Sequence, residues 1–143
     1  MTNQRTNIEV ANIWIGYVFA KLYESFPIPY DFKLSEILDE TGEVPTIGES
    51  GEFGLQLLMW LRDEGYVRGQ DGTLELESLM DFTVLTERGL TALNAVPDKL
   101  AQKKKIGEQL VDASKDLGKE GIKKGVMDLI GQVIGGVIKS TVT

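Results

Sequence analysis

Side chains able to do acid–base or nucleophilic work are scarce in this chain of 143 residues. It has no histidine and no cysteine. That removes the commonest general base, the thiol nucleophile, and both imidazole and thiolate metal ligands. Gly48-Glu49-Ser50-Gly51-Glu52 approaches the nucleophile elbow of hydrolases, but that motif needs glycine at its fifth position and no histidine exists to activate Ser50. No glycine-rich phosphate loop with its Lys-Ser/Thr occurs, and Gly131 to Gly136 lacks the strand and basic residue of a phosphate cradle. The pairs Asp39/Glu40, Asp63/Glu64 and Glu75/Glu77 have the chemistry for acid–base work or for a divalent ion. Only their spacing supports such a role, and a solvated acidic surface explains them more simply. The expectation is a protein that is not an enzyme, with no metal, no cofactor and no evident small-molecule substrate.

Apolar residues make up 42% of the chain and charged residues 26%, so it can bury a core as an ordinary globular protein does. The charge is divided unevenly. Residues 1–98 carry six Lys/Arg against seventeen Asp/Glu, a balance of −11, while residues 99–143 carry nine lysines against five acids, a balance of +4, together the net −7. This division separates a body, 1–98, from a basic tail, 99–143. Met1 to Asn7 is polar and carries only Arg5, unlike a secretory signal, so the expected location is cytoplasmic.

The body must supply the elements that position any site. Ile8, Ala11, Ile15, Val18, Phe19, Leu22 and Phe26 recur at helical steps and predict a helix over Thr6 to Ser25, stopped by Pro27 and Pro29. A short strand is predicted over Tyr30 to Lys33. A short helix capped by Ser35 follows and ends near Gly42, and Glu43 to Gly51 is a polar loop. The next helix, Glu52 to Glu64, turns Phe53, Leu57, Trp60 and Leu61 to the core and ends at Gly65. Tyr66 to Arg68 and Thr73 to Glu77 flank Gln70-Asp71-Gly72 and read as a hairpin. Phe82 to Leu85 gives a further strand, and Thr86 caps a helix through Leu93, closed by Pro97. The class is α+β, mostly α, in the order α-β-α-α-β-β-α with a C-terminal helical extension.

Three segments carry a resemblance: Phe26-Pro27-Ile28-Pro29, Trp60-Leu61-Arg62-Asp63-Glu64-Gly65-Tyr66 and Leu85-Thr86-Glu87-Arg88-Gly89-Leu90. With the order of elements over residues 6–97, they resemble the winged helix-turn-helix superfamily, and within it small bacterial and phage-type proteins with a helical tail. The resemblance implies a third helix whose outward face enters the major groove of DNA with Arg, Lys, Asn or Gln. On a helical wheel that face of Glu52 to Glu64 carries Leu55, Gln56, Met59, Arg62 and Asp63. Candidate DNA contacts are Gln56, Arg62 and Arg68, but the acidic body repels phosphates. Leu55, Gln56, Met59 and Arg62 read better as an apolar patch with a polar rim, the form of a protein interface. Cover by the tail or the hairpin is the plainer alternative.

In the tail, Ile106, Leu110, Ala113 and Leu117 form one stripe, and Ile122, Val126, Leu129, Ile130, Val133, Ile134 and Val137 form another after a break at Gly118 to Gly121. Asp128, Gln132 and Lys139 align on one face and argue against a transmembrane span. Gly121-x-x-x-Gly125 and Gly131-x-x-x-Gly135 allow close helix packing, on the body or a second copy. A membrane surface, bound through 122–138, is the sharper alternative. Val10, Ile13 and Tyr17 form a second stripe on the first helix. With Ile130, Val133, Ile134 and Val137 they are the candidates for self-association.

These readings lead to an expected protein–protein interaction or adaptor module that associates with itself as a homo-oligomer. The alternatives are a DNA-binding transcriptional regulator, an acidic inhibitor that imitates nucleic acid, and a peripheral membrane protein.

Overall fold

The structure is a computed structural model that describes residues 5–74, 76–96 and 104–142, with side chains of the last helix described as far as Ile134. It is α+β and mostly helical, with six helices and one small antiparallel sheet among the described residues. The elements run α1 (Asn7–Ser25), β1 (Tyr30–Lys33), α2 (Leu34–Thr41), α3 (Ser50–Asp63), β2 (Val67–Asp71), β3 (Ser78–Leu85), α4 (Glu87–Asn94), α5 (Ile106–Ser114) and α6 (Glu120–Val142). In the sheet β3 lies between β1 and β2.

α1 is the hub. Thr6 starts it with a capping box: its hydroxyl accepts the Glu9 amide at 3.1 Å, and the Glu9 carboxylate accepts the Thr6 amide at 2.9 Å. From Val10 to Leu22 nearly every residue is buried, so the helix is enclosed rather than amphipathic. The expected single core face is therefore corrected. Ile8 and Phe26 lie exposed at its ends, while Val10, Ile13, Trp14 and Tyr17 are inside. The tail supplies the missing cover. A Cβ on Gly16 would stand 2.2 Å from Val126 Cγ1, and one on Gly107 would meet the Tyr23 ring at 2.5 Å. Glycine at these two places lets α6 and α5 press directly on α1. Ile106, Leu110, Leu117, Val126, Leu129, Ile130 and Val133 join the same core as the body, so the tail is part of one packed unit.

The tail stripes are buried or half-buried from Ile106 to Leu117 and from Ile122 to Ile134, while Val137 lies outside the described side chains. The break between α5 and α6 contains Gly118, and Gly121 is already in α6. Gly42 and Gly65 close α2 and the turn after α3 with φ of 66° and 87°, values that glycine adopts without steric cost. α2 begins at Leu34, one residue ahead of the expected Ser35 cap; Lys33 holds the cap position. Thr86 caps α4 by accepting the Gly89 amide at 3.1 Å, and its hydroxyl also donates to the Gly65 and Tyr66 carbonyls. A Cβ on Gly89 would sit 2.2 Å from the Tyr66 carbonyl oxygen, so the Thr-x-x-Gly motif pins α4 against the turn between α3 and β2. Pro97 lies outside the described residues.

The hairpin differs from its expectation. Thr73 to Glu77 is not a strand among its described residues; β3 starts at Ser78 and pairs with β2 from Val67↔Leu85 to Asp71↔Met80. The buried Asp81 carboxylate accepts the amides of Thr73 at 2.9 Å and Leu74 at 3.2 Å. A side chain from the neighbouring strand thus satisfies donors that a ladder would otherwise use. Leu74 and Leu76 face solvent, so alternation there carries no burial. Against β1, register passes from Tyr30↔Thr83 to Phe32↔Met80 with one extra residue on β3, a bulge. Phe82 sits there at φ 53°, its amide donating to Asp31 at 2.8 Å.

Candidate partner-binding groove

The orientation of α3 follows from Gly54. A Cβ there would stand 2.8 Å from Leu79 Cδ1 and 3.2 Å from Trp14 Cζ3, so the helix backbone approaches both residues closely. This rotates the buried stripe to Gly54, Leu58 and Leu61. The expected core face of Phe53, Leu57, Trp60 and Leu61 is corrected accordingly. Leu61 is buried, Phe53 and Leu57 are half-buried, and Trp60 is 40% exposed. Phe53 still meets Trp14 edge-on at 5.3 Å.

The expected outward residues fare differently. Gln56 is exposed and donates to Glu52 at 2.9 Å. Leu55 and Met59 are half-buried, and Leu55 packs against the core. Arg62 is held by the hairpin, donating to Asp71 at 3.1 Å and to the Gly69 carbonyl at 3.4 Å. Arg68 is exposed on β2. The hairpin thus takes up Arg62, and the apolar character of the α3 surface lies at Trp60 rather than at Leu55 and Met59. Arg88 is likewise engaged, its guanidinium 4.5 Å over the Tyr66 ring.

Around Trp60 the surface forms two adjoining hollows that share Ile8, Ala11, Leu57 and Trp60. The first, about 570 Å3, lies between the start of α1, the 47–49 loop and α3, with Ile47 and Phe53 in it and Glu49, Glu52 and Gln56 at its rim. The second, about 410 Å3, is closed by Ile15, Ile130 and Ile134. Ile8 is 64% exposed and Ile47 52% exposed. Neither hollow is lined by a lysine or arginine among the described residues. Sequence periodicity assigned Trp60 and Ile8 to the core and passed over Ile47, although an isoleucine within a polar loop is itself a signal.

The residues expected at a self-association surface lie elsewhere. Val10, Ile13, Tyr17, Ile130 and Val133 are buried within the chain, where α1 is covered by α2, α5 and α6. Ile134 is half-buried at the groove, and Val137 lies outside the described side chains. On α6 the other face stays open: a Cβ on Gly121, Gly125 or Gly131 would meet nothing within 4 Å. The expected close approach through these glycines is not made among the described side chains, which end at Ile134, before Gly135.

Two charged clusters hold the frame. Glu43 receives Arg5 at 3.0 Å and Lys123 at 2.6 Å, its backbone carbonyl accepts the Trp14 indole at 3.1 Å, and Arg5 also pairs with Glu120. Glu36 Oε2 accepts both the Tyr17 and the Tyr30 hydroxyl. Burial, reinforced by the hydrogen bond to Glu36, pushes both phenols above the ordinary tyrosine range. Asp39, Glu40, Asp63, Glu64 and Glu77 are exposed, and Glu75 lies outside the described residues. Among the described residues no group of three or more acids is placed to hold a metal ion, and no helix is long and apolar enough to cross a membrane.

Comparison of the chain with protein-family models, with curated proteins and with solved structures found no match.

Proposed function

We propose that this chain is a non-enzymatic protein–protein interaction or adaptor module on a winged-helix frame, working in the cytoplasm. The observation that carries the reading is the apolar groove at Trp60, Ile8 and Ile47, bordered by Glu49 and Glu52. Large apolar side chains gathered within a polar rim are the usual form of a protein interface. The frame is supported by the order of elements, by β3 lying between β1 and β2, and by the Thr86 cap that sets α4 behind the hairpin. With Val10, Ile13 and Tyr17 inside the molecule, self-association through α1 is not part of the proposal.

A duplex DNA salt series separates this module from a transcriptional regulator. An interaction module shows no retention that steepens as salt falls, and Arg62→Ala with Arg68→Ala changes nothing. Retention with a steep salt slope, weakened by the two substitutions, would replace the module with the regulator.

A further inference from the structure

We propose that the groove receives a basic amphipathic helix of a partner protein, an inference that rests on the interaction-module reading. The floor decides for a helix. It is made of side chains from α1, α3, α6 and the 47–49 loop, with no sheet element along it. An extended peptide would find no strand edge to pair with, whereas a helix brings its backbone bonds satisfied. The two hollows each suit one large apolar anchor. Along α1, Ile8 lines both hollows and Ile15 the second alone, and the two lie about 10 Å apart along a helix axis, the spacing of positions i and i+7.

Charge decides the flanks. Glu49 and Glu52 are exposed at the first hollow, no cation lines either hollow among the described residues, and residues 1–98 carry −11. Lysine or arginine beside the anchors is attracted to this rim, and acidic flanks are repelled.

Trp60 makes the test direct. The chain has two tryptophans, and the other, Trp14, is fully buried. Emission of the full-length protein is followed during titration with two synthetic helical peptides. Both carry leucines at i and i+7; one is flanked by lysines and the other by glutamates. The lysine peptide is expected to shift emission to the blue and to bind at least about tenfold tighter than the glutamate peptide, with added salt narrowing the difference. Trp60→Phe removes the signal, Ile47→Glu weakens binding, and Glu49→Lys with Glu52→Lys reverses the preference.

Equal binding of the two peptides, or a preference for the glutamate peptide, overturns the basic partner while leaving the module. A shift with phosphatidylcholine–phosphatidylserine vesicles and with neither peptide overturns it in favour of a lipid surface. Light scattering that shows Ile47→Glu converting a dimer to a monomer overturns it in favour of a second copy. If none of these binds, the inference fails, and a photo-crosslinker at Gln56 then tells the two levels apart: a specific adduct in cells keeps the module, and its absence ends both.

Discussion

Lys123 Nζ lies 2.6 Å from Glu43 Oε2, joining the start of α6 to the loop after α2 across eighty positions of sequence. Both side chains are mostly buried, and Arg5 shares the same carboxylate. This relationship fastens the tail to the body, and farther along α6 Ile130 and Ile134 close one side of the groove.

Removing Glu43 leaves the buried Lys123 without its partner and leaves Arg5 with Glu120 alone. Glu43→Ala is expected to lower stability by roughly 3 kcal/mol, as for other broken buried pairs. Urea unfolding measures it. A loss below about 0.5 kcal/mol, the size of a surface effect, would show the cluster to be unimportant.

Gly16 makes a second contact between α1 and α6. Gly16→Ala puts a methyl group against Val126 and is expected to cost about 1–3 kcal/mol through overpacking. Adding Val126→Ala should recover part of that cost, which a double-mutant cycle reads as coupling. By contrast, Gly125→Ala meets nothing within 4 Å and should stabilise α6 by about 0.5–1 kcal/mol. The same sign at Gly16 and Gly125 would contradict the packing.

Asp81 holds the loop between β2 and β3. Asp81→Ala removes the acceptor for the Thr73 and Leu74 amides, with an expected loss of about 1–3 kcal/mol. Hydrogen exchange at those two amides should quicken. Unchanged protection there would mean that the loop is held by something else.

Tyr17 and Tyr30 have folded pKa values raised above 10.0, the ordinary value of a tyrosine. A raised pKa means that the folded state keeps its protons longer than the unfolded state. The stabilisation is complete below pH 10.0 and is lost as pH rises above it toward the folded values. Thermal midpoints should therefore fall more steeply at alkaline pH in the natural chain than in Tyr17→Phe with Tyr30→Phe. Parallel curves would remove the phenols from the account.

The local elements were legible because their causes are local. The helix from Asn7 to Ser25 is foretold by its apolar spacing and its prolines, the left-handed ends at Gly42 and Gly65 by glycine, and α4 by Thr86 and Gly89. The break between the tail helices was legible from Gly118 to Gly121 for the same reason. The hairpin was misplaced because Asp-Gly followed by alternating residues describes a strand equally well. The choice against it was made by Asp81, a buried carboxylate eight residues from the amide it holds.

The candidate site was the least legible part. Helical periodicity shows that α3 has two faces but does not tell which apolar stripe is buried when Phe53, Leu57 and Trp60 compete with Gly54, Leu58 and Leu61. By itself the sequence determined the composition that leaves no histidine or cysteine chemistry, the acidic body with its basic tail, and the order of elements. Only tertiary packing decided that Gly54 admits Trp14 and Leu79, with Trp60 left outward, and that Gly16 admits Val126, bringing α6 onto an α1 whose Val10, Ile13 and Tyr17 are all buried. The reason is physical: spacing sets what lies on a helix face, but which face is buried depends on where neighbouring backbones can approach most closely.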